Sequence, residues 1–179
     1  DIDFKLYFSK NSSSVGLSLL SYQSGKNDGY FLLSASPSIE IDKSNIESKD
    51  VTFILDVSGS MSGEKLEQAK KALVYCVNNL NAGDHFNVIR FSTEAYSLFK
   101  SLEKANKQNI NEAKRFIDDL QAIGGTNIEE AFNLAFKNYT ESNRPHFIVF
   151  LTDGKPTIGE MNDEKLIKGI LNTNKGNSR

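Results

Sequence analysis

Three short polar segments hold the side chains best suited to chemistry. Asp56-Val57-Ser58-Gly59-Ser60 follows the apolar run Val51-Thr52-Phe53-Ile54-Leu55, and Thr152-Asp153-Gly154 follows Phe147-Ile148-Val149-Phe150-Leu151. Between them lies the tight loop Gly124-Gly125-Thr126-Asn127. Pooled, Asp56, Ser58, Ser60, Thr126 and Asp153 offer two carboxylates and three hydroxyls, all oxygen donors. Hard divalent cations take such ligands: Mg²⁺ first, with Mn²⁺ or Ca²⁺ as alternatives. Mg²⁺ demands near-octahedral geometry with metal–oxygen distances of about 2.0–2.1 Å and usually keeps waters. An ion held this way stays electrophilic toward a carboxylate offered by a partner. Gly59, Gly124, Gly125 and Gly154 are expected to give these loops positive φ. The spacing of Ser58 and Ser60 puts both hydroxyls on one side of a locally extended chain.

The elements that must position these loops alternate from residue 47 onward. Val51–Leu55 and Phe147–Leu151 have the continuous apolar character of strands buried on both faces. Phe86–Phe91 forms another strand and Ala95–Phe99 a shorter one. Leu66, Ala69, Leu73, Val77 and Leu80 recur at helical spacing, with Gly83 placed to cap that helix. Ile110 to Leu120 and Ile128 to Tyr139 mark two further helices, the latter with Asn127 and Glu130 as a capping pair. Leu166, Ile167 and Ile170 mark a last one. Strands alternating with helices imply an α/β fold, a doubly wound and mainly parallel sheet with helices on both faces. Ligands of such folds sit at the carboxyl ends of the strands, where all three polar loops would lie. Residues 1–46 read differently. Asp3–Phe8 is a candidate strand, Gly16–Tyr22 and Tyr30–Ala35 form a hairpin around the turn Ser24–Gly29, and Asp42 to Asp50 is a polar linker. They constitute a β-rich appendage.

The whole chain has 179 residues and a net charge of −2, with no basic stripe, which argues against a nucleic-acid partner. One cysteine excludes an internal disulfide, and two histidines leave little for a histidine-rich metal site. No apolar run reaches the roughly 18 residues of a membrane span. Cys76, beside Val77, is expected to pack inertly, Asp84 to cap the turn that follows it, and His85 and His146 to lie at the surface or at strand boundaries. Lys155 and Glu160 read as solvated. Catalytic motifs are incomplete. Ser62-Gly63-Glu64-Lys65 fits Ser-x-x-Lys but lacks a Lys-Thr-Gly companion, and Met61 occupies the serine position of a would-be Gly-x-Ser-x-Gly elbow. Ser58 stands where an aspartyl phosphotransferase has its second acid. A hydrolase is therefore the weakest reading. Asn11-Ser12-Ser13 and Asn138-Tyr139-Thr140 match a glycosylation sequon that an Asn- and Ser-rich chain also produces by chance.

Asp56-Val57-Ser58-Gly59-Ser60 resembles the Asp-x-Ser-x-Ser motif of von Willebrand factor type A domains. Thr126 matches that family's separate threonine and Asp153 its second aspartate. Lys49–Asp56, Gly83–Asn87 and Leu151–Glu160 are similar to the subgroup of inter-α-trypsin inhibitor heavy chains and bacterial relatives, as is the leader from Asp3 to Leu33. The resemblance implies a Rossmann-like A domain over residues 47–179, with a further strand and helix expected after Arg179, so that the domain is C-terminally incomplete. It implies a metal-ion-dependent adhesion site built from Asp56, Ser58, Ser60, Thr126 and Asp153. It also implies a non-enzymatic binding module that captures an Asp or Glu of a protein partner at the cell surface or outside the cell. The alternative it leaves is a periplasmic or cytoplasmic scaffold of the same fold that links subunits.

Overall fold

The computed structural model describes residues 15–22, 28–37, 47–140, 142–174 and 178–179. The chain divides into two compact units, Asp1–Ile46 and Glu47–Arg179. In the first, β1 (Val15–Tyr22) and β2 (Tyr30–Pro37) pair antiparallel as a hairpin. The expected strand at Asp3–Phe8 and most of the turn and linker segments lie outside the described residues.

The second unit is an α/β layer structure. Its elements are β3 (Asp50–Asp56), α1 (Glu64–Asn78), β4 (His85–Phe91), β5 (Ala95–Ser97), β6 (Glu103–Lys104), α2 (Lys107–Asp118), α3 (Ile128–Asn138), β7 (His146–Leu151) and α4 (Asp163–Thr173). The strand order is β5-β4-β3-β7; β3 runs parallel to both neighbours, while β5 and β6 pair antiparallel with β4. Successive strand residues face opposite sides, which sorts the core into two layers. Val51, Phe53 and Leu55 pack with Leu66, Leu73 and Val77 of α1 and Ala113 and Ile117 of α2. Ile54, Ile89 and Phe91 pack with Ile128, Ala131 and Ala135 of α3 and Leu166 of α4.

Several expectations need correction. β3 is buried along its whole length, but β7 is only partly so, with Val149 37% exposed. The cause is its place at the sheet's outer edge, where Arg179 accepts from the Ile148 amide and donates to the His146 carbonyl. Helix α1 ends at Asn78 with Asn79 as its cap, so Gly83 does not terminate it. Cys76 is exposed. Successive helical residues are about 100° apart, so the inward aim of Val77 turns Cys76 off the buried stripe. Asp84 does not cap the turn after it. Fully buried, it accepts from the Lys49 amide at 3.0 Å, Lys49 Nζ at 2.7 Å and the Asn81 amide at 2.8 Å, closing the turn before β4. Burial pushes the Asp84 carboxyl up, but the hydrogen bonds from Lys49 and Asn81 outweigh it and hold it below the usual range. His85 and His146 do open strands, as expected, though His146 is buried.

Candidate functional site

The order of the strands explains where the polar loops meet. The chain leaves β3 for β4 on one side and later returns to β7 on the other. Between β3 and β7 the connections depart to opposite faces of the sheet, which opens a crevice at the strands' carboxyl ends. Asp56 is the last residue of β3, and Thr152-Asp153 directly follows β7. Both loops therefore rise from neighbouring strands, and a 3₁₀ turn over Gly59–Met61 folds the first of them back toward α1.

Asp56 is fully buried, with both carboxylate oxygens engaged. Oδ1 accepts from the Ser58 amide at 2.7 Å and Oδ2 from the Thr152 hydroxyl at 2.6 Å. Ser58 Oγ lies 3.0 Å from Ser60 Oγ, and Ser60 Oγ donates to Asp153 Oδ1 at 2.8 Å. Ser58, Ser60 and Asp153 thus form one chain of touching oxygens across two loops, and the two serine hydroxyls share a side as their spacing predicts. Asp153 is held below the usual carboxylate range, chiefly by the hydrogen bond from Lys65 and next by that from Ser60.

The third loop joins through its backbone. The Gly59 amide donates to the Gly124 carbonyl at 3.0 Å, and the Ile123 amide to the Val57 carbonyl at 2.8 Å. Thr126 is buried, its amide donating to Thr157 Oγ1 at 2.8 Å and its carbonyl accepting from the amides of Thr157 and Ile158. Among the described residues no side-chain hydrogen bond ties Thr126 to the other four; its loop brings it to them. Of the four glycines expected at positive φ only Gly124 has it, at 84°, and a Cβ there would lie 2.7 Å from Thr93 Oγ1. Asn127 caps α3 as expected, accepting from the Glu130 amide at 3.2 Å.

Sequence reasoning missed three participants. Thr152 anchors Asp56, Thr157 anchors Thr126, and Lys65 sits on Asp153 with Nζ 2.5 Å from Oδ2. Thr152 adjoins Asp153 and was visible as an extra hydroxyl in the same loop, whereas nothing in the spacing pointed to Lys65 or Thr157. Among the described residues no three His, Cys, Asp or Glu side chains cluster as a conventional metal cage. The donors here are two carboxylates and hydroxyls. Adjacent ligands of an octahedral ion at about 2.0–2.1 Å stand about 2.8–3.0 Å apart, the spacing of the Ser58, Ser60 and Asp153 oxygens.

Residues 49–175 match the family model described as von Willebrand factor type A domain. Inter-alpha-trypsin inhibitor heavy chain H4 of Homo sapiens is 40% identical over 130 residues, which are 68% of this chain and 14% of that protein. The chain thus spans only a small part of this relative's length. Among solved structures, a von Willebrand factor type A protein from Catenulispora acidiphila superposes with a TM-score of 0.67 at 23% identity, covering 97% of this chain and 41% of that one. The vWF domain of the type V pili tip protein Mfa5 from Porphyromonas gingivalis gives a TM-score of 0.54 at 19% identity, covering 62% and 39%. At these identities the two structures speak for the fold alone.

Proposed function

Because this chain belongs to the von Willebrand factor type A family, we propose that it is a non-catalytic protein-binding module whose contact with its partner runs through a divalent cation. The observation that carries this reading is the run of touching oxygens from Ser58 through Ser60 to Asp153 at the crevice between β3 and β7. Asp56, Ser58, Ser60, Thr126 and Asp153 would hold the ion, with Asp56, behind the others, also orienting the first loop. Mg²⁺ suits the donor set best, with Mn²⁺ or Ca²⁺ as substitutes. The ion would supply an electrophilic position for an Asp or Glu of a protein partner, and the loops around it would supply specificity. Among the described residues no helix is long and apolar enough to cross a membrane. Membership of this family supports a place at the cell surface or outside the cell.

Thermal unfolding with the metal alone tests this. A ligand that binds only the native state adds about 2.7 kcal/mol at 100 times its dissociation constant. Mg²⁺ or Mn²⁺ in such excess over chelator-treated protein should raise the midpoint, and Asp153→Ala should abolish the rise. A cooperative transition that no divalent cation moves would sink the proposal.

A further inference from the structure

The Ser-x-x-Lys segment that served no catalytic motif ends at the site. Lys65 is the second residue of α1, and the turn before it is fixed by the Met61 and Ser62 amides donating to the Ser58 and Gly59 carbonyls. Its ammonium group lies 2.5 Å from Asp153 Oδ2 and 3.4 Å from the Ser60 carbonyl. Asp153 Oδ1 meanwhile takes the Ser60 hydroxyl. Lys65 thus touches the same two residues, on the same two loops, that the oxygen chain joins. The pair is asymmetric in exposure: the lysine side chain is 62% exposed and the aspartate only 17%. Both groups lie at the exposed mouth of the crevice, where the Ser60 hydroxyl holds the carboxylate and the longer lysine side chain reaches it from the solvent side.

We propose, resting on the metal reading above, that Lys65 is the resident cation of this site. It holds Asp153 when no ion is bound, and its charge sets a ceiling on divalent-cation affinity. Without an ion, the lysine offsets the charge of Asp153 and keeps the second loop against the first. A divalent cation approaching Asp153 meets a carboxylate already paired, so it must compete with the ammonium or bind beside it against like-charge repulsion. Both routes weaken binding. The exposed side chain can swing into water at little cost, so the exchange needs no rearrangement of the fold. A lowered affinity leaves the site responsive to changes in free ion concentration.

The test is titration of Mn²⁺ into the chelator-treated full chain, its Lys65→Met variant and its Lys155→Met variant. Lys155, two residues beyond Asp153 and exposed, controls for a general loss of positive charge near the site. Lys65→Met should bind Mn²⁺ about tenfold more tightly than the parent, the change expected from removing one adjacent like charge near a protein surface. Lys155→Met should stay within about twofold, since a solvated charge without contact is screened. If Lys65→Met binds no more tightly, or if Lys155→Met gains as much, the resident-cation proposal falls while the metal site stands. If neither the parent nor Lys65→Met binds Mn²⁺ although both unfold cooperatively, the metal reading itself fails and takes this proposal with it.

Discussion

Asp56 has no free oxygen: one accepts the Ser58 amide and the other the Thr152 hydroxyl. Replacing Thr152 by valine keeps the shape but strands a buried carboxylate oxygen. The expected loss is about 1–3 kcal/mol in urea denaturation, and Thr152→Ser should restore most of it. His146 sets a different limit. Burial pulls its imidazole down to about 4, against a small upward pull from Asp50. Thr52 Oγ1 at 2.9 Å and Ser178 Oγ at 2.7 Å occupy its two ring nitrogens, and Tyr139 stacks on it at 3.9 Å. The unfolded chain takes up a proton near pH 6.5, whereas the native state resists until about pH 4. The stability contributed by the neutral ring is complete above pH 6.5 and is lost as pH falls to about 4, on the order of 3 kcal/mol in all. Denaturation curves at stepped pH should show this slope, and His146→Gln should flatten it. The carboxylates that hydrogen bonds hold low, Asp84 and Asp153, lose their contribution only at lower pH.

Helix α3 links the third loop to the core. Asn127→Ala removes its cap, and chemical denaturation should register a loss of about 1 kcal/mol. Gly159 presses on the same cap: its φ is 78°, and a Cβ would lie 2.8 Å from Asn127 Oδ1. Gly159→Ala therefore combines backbone strain with a clash beside Thr157 and Ile158, which hold Thr126. It should cost at least about 1 kcal/mol and weaken any metal-dependent rise in midpoint. The elements themselves were legible because they are local. Apolar runs and helical spacing marked β3, β4, β7 and all four helices to within a few residues. Where the reading failed, the deciding contact was distant in sequence. Asp84 is claimed by Lys49 and Asp153 by Lys65, and nothing near either residue points to its partner. β6 consists of two exposed charged residues and has no pattern to read. The five oxygen-bearing positions were visible for the opposite reason: each stands just past an apolar run or inside a glycine turn.

At the scale of the whole molecule the described core lies in the second unit, between Val51 and Leu166. The hairpin of the first unit exposes Leu17, Leu19, Phe31 and Leu33 on one face and Leu20, Tyr22, Tyr30 and Leu32 on the other. The parallel sheet carries one more consequence. β3 is flanked by strands on both sides and covered by helices on both faces, so its amides reach solvent only when the entire unit opens. Just before β7 the Pro145 carbonyl accepts from the Asp50 amide of β3, and within β7 the Ile148 amide points outward to the Arg179 carbonyl. The alternation of the ladder then turns the Phe150 amide outward as well. Dissolved in deuterium oxide, the protein should hold the Ile54 proton for as long as global unfolding takes, while Phe150 gives its proton up orders of magnitude sooner. The slowest and fastest clocks of the sheet would then tick one strand apart, less than 5 Å across the ladder.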